Sequence, residues 1–170
     1  MTTLAQVKKV AKQRFIPTLE AHGFKHIKTM DFLRRRPDYI HDVIALGILR
    51  GGGNLRASVD CWVPELDPEI DPRSIEKVPP PAISSGGDLG FDRISFGGRL
   101  WNVSREADIG PALDAVLDQV ERIALPWFAA IESREKLVEA LVPEVRNQPD
   151  FEQVRQAILQ KTHTPREEGG

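Results

Sequence analysis

The sequence predicts an α+β fold, in which an antiparallel sheet of about four to five strands packs on an N-terminal helix and a main amphipathic helix. A C-terminal helical extension completes the predicted chain. Three observations lead to this class. Residues 55–63 alternate between apolar and polar side chains with the two-residue period of a half-buried strand. The run Gly51-Gly52-Gly53-Asn54 before them supplies the conformational freedom that a tight reversal needs. Residues 109–124 carry apolar side chains at helical spacing.

A long β-hairpin, with strands Tyr39–Arg50 and Leu55–Val63, is predicted to organise the domain. If residues 51–54 form its turn, residue 50 pairs with residue 55, and each step outward keeps this register. The apolar pairs of the predicted core face are then Ile48 with Ala57, Leu46 with Val59, and Ile44 with Cys61. The opposite face is chemically mixed, with Arg56, Ser58, Asp60 and Trp62 from the second strand.

The N-terminal part is predicted to be a helix followed by a strand. Thr2 or Thr3 can cap the helix, which runs to about residue 21 and which Pro17 kinks or splits. Gly23 is a natural helix stop. Residues 24–36 are then predicted to form one strand with a bend near its middle.

The second half of the chain is predicted to contain a further hairpin and three helices. Residues 91–96 and 99–103 would be its strands, joined at Gly97-Gly98. Asp108 is predicted to cap the main helix, and Pro126 is predicted to end it. Two lesser helices are expected over Ser133–Val142 and Asp150–Gln160.

The predicted organisation is one α+β domain, residues 1–132, with a helical extension, residues 133–162, packed on it. A polar tail, residues 163–170, is expected to be disordered. The connection Pro64–Gly90 is rich in proline and glycine, and a connection of this length is expected to be functional or mobile. Within it, Pro79–Pro81 is predicted to form a short polyproline II stretch.

Composition narrows the function classes. The chain has 170 residues, of which 41% are hydrophobic and 28% charged, as is typical of soluble globular proteins. A net charge of −2 gives no general attraction to nucleic acid, so nucleic-acid binding is not favoured. No apolar run approaches a membrane span, and no apolar signal region follows Met1. Cys61 is the one cysteine, which excludes an intramolecular disulfide and predicts a buried thiol. We expect a cytoplasmic protein that makes no membrane contact.

Three polar clusters suggest a ligand, and each has a simpler explanation. The arginine run 34–36 lies in a strand, where at most the first and third side chains share a face, and a basic edge strand also prevents unwanted pairing. The acidic segment 65–76 has the spacing of a calcium loop, but Ile70 stands where such a loop requires glycine. No cysteine pair or metalloprotease motif accompanies the histidines, which are His22, His26 and His41. The sequence predicts no catalytic residues, no metal site and no cofactor.

Two motifs together resemble a known family. The first is Ile16–Lys25, with a proline followed by Gly23-Phe24 ahead of a basic strand and a long hairpin. The second is Leu125-Pro126-Trp127-Phe128 after an amphipathic helix. In this order they resemble the family known as domain of unknown function 4304, over roughly residues 5–132. The resemblance implies a domain of helices and antiparallel sheet, and it supplies no activity, cofactor or catalytic residue.

The mixed face of the long hairpin is the predicted binding surface, because a tryptophan with an arginine beside small residues is typical of an interaction hot spot. Its residues are His41, Arg56, Ser58, Asp60 and Trp62. We predict a non-enzymatic module that binds another protein, in a regulatory or immunity-like role, or a second copy of itself. Two alternatives stay open. The Pro64–Gly90 connection or the extension helices could cover Trp62. Alternatively, a pocket between this face and the connection could bind a small ligand or substrate, with His41 and Asp60 as its polar groups.

Overall fold

The computed structural model of the chain describes residues 1–77 and 85–160. They form helices and an antiparallel sheet, so the predicted α+β class is confirmed, with a larger sheet than expected. The strands are β1 (Lys25–Lys28), β2 (Asp31–Arg35), β3 (His41–Ile48), β4 (Asn54–Trp62), β5 (Gly87–Gly90), β6 (Arg93–Ser95) and β7 (Trp101–Asn102). The first six lie side by side in chain order, and β7 pairs with the beginning of β4.

Seven α-helices surround this sheet in the described part of the chain: α1 (Leu4–Ala11), α2 (Phe15–Ala21), α3 (Glu106–Gln119), α4 (Leu125–Ala130), α5 (Arg134–Ala140), α6 (Pro143–Arg146) and α7 (Phe151–Gln160). Helix α6 was not anticipated from the sequence. A π-helical turn, Val120–Ala124, joins α3 to α4 without a break in the helix.

The long hairpin has the predicted faces, but the predicted register is wrong by two residues. Ile44 pairs with Val59 and Ile48 with Leu55, and the reversal occupies residues 50–53. A shift of two residues keeps every side chain on its face because the side-chain period of a strand is two. The alternating stripe of residues 55–63 is therefore buried on one face as expected, with Leu55, Ala57 and Val59 in the main core and with Cys61 and Val63 in a cluster with the C-terminal helices.

The main core lies between the sheet and helices α1, α2 and α3. Its strand residues include Leu55, Ala57 and Val59, all fully buried. Burying one large aliphatic side chain contributes about 1.5–3 kcal/mol, so this helix-covered face is a major source of stability. The three helices contribute Val7, Phe15, Leu19, Ile109, Leu113 and Val116, and the π-helical turn contributes Val120.

The two helix breaks show how proline acts within this fold. The N-terminal helix is split as predicted, but the break precedes Pro17, because a proline disturbs the backbone of the preceding turn and is tolerated in the first turn of α2. Thr3 caps α1 through a capping box with Gln6. Pro126 was expected to end the main helix. Instead the helix widens into the π-helical turn immediately before it and continues as α4.

Two predictions of strand pairing are wrong. Residues 25–35 form a hairpin of β1 and β2, with Thr29 at a positive φ of 50° in the turn, and not one bent strand. The second hairpin pairs β5 with β6 around Phe91-Asp92. Gly97-Gly98 was expected to be that turn, but it lies in the connection to β7.

The C-terminal helices pack against the far end of the long hairpin. Cys61 and Val63 share an apolar cluster with residues of these helices, among them Leu137, Val145 and Ile158. The extension thus covers the end of the sheet. The predicted polyproline stretch Pro79–Pro81 and the predicted tail 163–170 lie outside the described residues.

Candidate functional site

Trp62, the centre of the predicted surface, is fully buried. Its indole Nε1 donates a 2.7 Å hydrogen bond to Oδ2 of Asp67. Residues 64–77 fold back over this face, and the buried side chain of Ile75 packs in one cluster with Trp62, Leu33 and Val43. The alternative in which the proline-rich connection covers the tryptophan is therefore the one that the structure supports.

Three other residues of the predicted surface are also buried, and each already has a partner. The His41 Nδ1 atom lies 2.8 Å from the carbonyl oxygen of Tyr39, and burial lowers the pKa of this imidazole to about 4. Ser58 donates a 2.8 Å hydrogen bond to Asp88. Asp60 accepts hydrogen bonds from the backbone N–H and the hydroxyl of Ser85.

Arg56 is the one exposed member of the predicted surface, and it pairs with Asp88 at 3.6 Å. The expectation of an exposed mixed face is therefore wrong for the other four residues. Apolar side chains of the 64–77 segment occupy the space over Trp62, which also argues against the alternative of a ligand pocket between His41, Asp60 and the connection.

The arginine run holds a buried carboxylate and does not form a phosphate site. Asp42 is fully buried, and its two oxygens accept hydrogen bonds of 2.9 Å from Arg34 and Arg36. Burial raises the pKa of the Asp42 carboxyl, and the two guanidinium groups oppose this rise. Arg36 also donates to the carbonyl oxygen of Ile131 and to the buried Sγ of Cys61. Burial raises the pKa of that thiol, which leaves it protonated and a poor nucleophile.

The acidic segment is used for structural contacts. Glu65 forms a 2.7 Å ion pair with Arg134, of which the side chain is 2% exposed. Glu76 pairs with Lys25 and Arg35 of the first hairpin. Among residues 1–77 and 85–160, no group of three or more candidate side chains is placed to hold a metal ion.

The tip of the β5–β6 hairpin has an unusual backbone and an exposed aromatic side chain. Phe91 and Asp92 form its two-residue turn, and both have a φ of 56°. Such turns favour asparagine and glycine, because a bulky side chain is strained in the left-handed region. Phe91 nevertheless stands there with 63% of its surface exposed. The turn therefore exposes a large apolar side chain to solvent at a position whose backbone conformation phenylalanine disfavours.

A network of hydrogen bonds from the main helix holds this turn in place. The side-chain amide of Gln119 donates to Oδ1 of Asp92 at 2.8 Å and accepts from the backbone N–H of Asp92 at 3.1 Å. Arg122 donates to the same Oδ1 at 2.8 Å and to Asp118 at 2.8 Å. The bonds from Gln119, and then those from Arg122, lower the pKa of the Asp92 carboxyl. A strained backbone conformation persists where the surrounding contacts hold it in place, and the bonds from Gln119 and Arg122 to Asp92 are such contacts.

An open apolar groove of about 440 Å³ adjoins this tip. Its walls come from β6, the π-helical turn, α4 and the connection between α5 and α6, and they include Ile94, Ile123, Trp127, Leu141 and Val142. Among the described residues that line it, Arg122 is the one charged group. Because Arg122 also binds Asp92, the tip and the groove are parts of one surface.

Leu100 is a further exposed apolar side chain close in the fold to the hairpin tip. The described residues have three exposed large hydrophobic side chains, which are Met1, Phe91 and Leu100. Leu100 follows Arg99, and Arg99 packs so closely on Gly90 that a Cβ there would collide with it. Gly90 and Arg99 are therefore in contact, and each is followed in the chain by an exposed apolar residue, Phe91 or Leu100. We call Phe91, Leu100 and the groove the tip-and-groove surface.

Sequence reasoning missed this surface, although part of the signal was present. Of the two aromatic residues in the Leu125-Pro126-Trp127-Phe128 motif, Phe128 is fully buried. Trp127 is half-buried and lines the groove. The role of Phe91 had no sequence signal, because the preferred turn residues stand at Gly97-Gly98 instead.

Comparison with known proteins gives no relative for this chain: no family model, no curated protein and no solved structure matches it. The resemblance to the domain of unknown function 4304 family therefore stays a prediction. Within the described ranges, no helix combines the length and the apolarity needed to cross a lipid bilayer.

Proposed function

We propose that this protein is a non-enzymatic protein-binding module and that the tip-and-groove surface is its contact site. The class of function is the one that the sequence suggested, but the surface is different, since Trp62 is covered. The observation that carries the proposal is the exposed Phe91 in a strained turn. Strain of this kind is concentrated at binding and catalytic sites, where function offsets its cost.

The chemistry of the surface supports a protein partner more than a polar small molecule. Aromatic anchors beside an apolar pocket, with charged residues at the rim, are typical of protein interfaces. The charge of Arg122 is already balanced by Asp92 and Asp118, so an apolar group can enter the groove without leaving a cation unpaired.

The π-helical turn adds a second line of support. Such turns occur often at functional sites, and this one carries both Arg122 and Ile123 of the surface. It directly follows Gln119, which holds the strained turn. One irregular stretch of helix therefore positions the tip and one wall of the groove together.

The other expectations from the sequence remain part of this proposal. We place the protein in the cytoplasm, where the unpaired, buried thiol of Cys61 would be stable. The proposal includes no cofactor. It also includes no nucleic-acid or membrane partner, because a net charge of −2 gives no attraction to nucleic acid or to an anionic membrane surface.

The test is photo-crosslinking in the source cell. A photoreactive phenylalanine analogue is placed at position 91, and in a matched strain at position 5, an exposed residue of α1, which contributes no residue to the groove lining. We expect a discrete protein adduct from position 91 and none from position 5. Equal or absent crosslinking at both positions would contradict a protein-binding role for this surface.

A further inference from the structure

We infer that the partner at the tip-and-groove surface is a second copy of this chain, with Phe91 of each copy seated in the groove of the other. The inference rests on the proposed function, because it names the occupant of the same surface. A surface that carries a protruding side chain and a matching recess side by side is self-complementary under a two-fold axis.

The first argument is chemical. The described lining of the groove is aliphatic and aromatic apart from Arg122, and the charge of Arg122 is paired within the same molecule. Its occupant must therefore be apolar and uncharged. Phe91 has this chemistry and is 63% exposed. Aromatic pairs add to the energy of apolar burial, and Trp127 offers such a contact in the groove.

The second argument is geometric. Phe91 is not among the residues that line the groove of its own chain. Its turn is fixed by Gln119 and Arg122 and cannot fold back without losing those bonds. Asp92 touches Arg122 at 2.8 Å, so one pair of residues separates the tip from the recess. A two-fold axis through this pair would bring each Phe91 to the other groove.

The third argument concerns charge. The surface carries both signs close together, with Asp92 and Asp118 beside Arg122, and with Arg93 exposed at the end of the hairpin. These two carboxylates and two guanidinium groups sum to zero charge, so two copies that meet at this surface bring no local excess of either sign together. The net charge of −2 gives little repulsion between copies.

The expected affinity is modest. A buried phenylalanine contributes about 150–250 Å² of contact area, whereas a stable interface buries about 1,200–2,000 Å² in total. The two Phe91 side chains supply only a part of this area. We therefore expect a reversible dimer with a dissociation constant in the micromolar range.

Analytical ultracentrifugation of the full chain, from micromolar to near-millimolar concentration, tests the dimer. Phe91→Asn removes the protruding side chain, and Ala140→Gln fills the groove of the receiving copy. Ala5→Gln is the matched control, because it makes the same change at an exposed position on α1. We expect Phe91→Asn and Ala140→Gln each to raise the dissociation constant at least tenfold, and Ala5→Gln to leave it unchanged.

Mixing the two variants gives the decisive result. The Ala140→Gln copy still has Phe91, and the Phe91→Asn copy still has an open groove. We expect heterodimers in the mixture at concentrations where each variant alone is monomeric. A wild type that stays monomeric throughout, a dimer that survives Phe91→Asn, or a mixture that forms no heterodimer would each overturn the inference. A monomeric wild type that crosslinks from position 91 to another protein would overturn the dimer and leave the proposed function standing.

Discussion

The indole N–H of Trp62 donates to the carboxylate of Asp67 at 2.7 Å, and this bond closes the proline-rich segment over the outer face of the sheet. The bond joins the last residue of β4 to a residue only five positions later, so the chain reverses direction immediately after the strand. Farther along this segment, the buried side chain of Ile75 completes the apolar cluster around the indole. A third and smaller apolar cluster thus lies on the side of the sheet opposite helices α1, α2 and α3.

We expect Trp62→Ala to destabilise the protein by about 3–5 kcal/mol, because it leaves a cavity in this buried cluster. Asp67→Ala should cost about 1–3 kcal/mol, since it leaves a buried indole N–H without its acceptor. Urea unfolding monitored by circular dichroism measures both. An unchanged midpoint for Trp62→Ala would mean that the segment does not cover the tryptophan in solution.

The faces of the long hairpin could be predicted from sequence, whereas its register could not. Alternation at Leu55, Ala57 and Val59 assigns each side chain to a face, and that assignment survives any shift by two residues. The register depends on how many of the glycines 51–53 enter the turn, and glycine permits several answers. The alternation of apolar residues therefore predicts which side chains are buried, whereas the glycines of the turn do not specify which residues pair across the two strands.

The tip-and-groove surface could not be predicted because it violates the preferences on which sequence reasoning depends. Phe91 and Asp92 occupy a turn that favours asparagine and glycine, while Gly97-Gly98 offers the expected residues six positions later. The contacts that hold the observed turn come from Gln119 and Arg122, which lie 27 and 30 positions after Asp92 in the chain. Similarly, only the three-dimensional packing shows that the acidic segment covers Trp62.

We expect Asp42→Asn to be strongly destabilising. Asp42 is fully buried, while the side chains of Arg34 and Arg36 are 24% and 22% exposed. Removing the anion leaves two partly buried cations without their counter-charge, which should cost about 3 kcal/mol, the low end for a broken buried pair, because the arginines can still reach water. Chemical denaturation measures this loss. Glu139→Gln, in the exposed Lys136–Glu139 pair, is the control and should have little effect.

We expect His41 to make stability fall as the pH is lowered. The folded protein keeps this imidazole neutral down to about pH 4, whereas the unfolded chain binds a proton near 6.5. The unfolded state therefore holds more protons between these values, and the contribution of His41 is fully present above pH 6.5 and lost as the pH falls toward 4. The loss should reach about 2–3 kcal/mol.

The test of the His41 prediction is the difference between two stability curves. Asp42 has a raised pKa and contributes with the opposite sign, because its carboxyl binds a proton more readily in the folded state. Subtracting the curve of His41→Gln from that of the wild type removes this shared contribution. A difference that stays constant from pH 7 to pH 4 would show that His41 does not titrate as described.

Phe91→Asn should stabilise the folded protein even though it removes a large apolar side chain. Asparagine tolerates the left-handed backbone at residue 91, and phenylalanine there loses little burial because 63% of it is already exposed. The gain should be about 1 kcal/mol, which raises the melting temperature by about 2–4 °C for a chain of this size. Calorimetry at low protein concentration, where self-association does not contribute, measures it. A lower melting temperature would mean that Phe91 is a structural residue, and the argument that its strain is maintained for binding would fail.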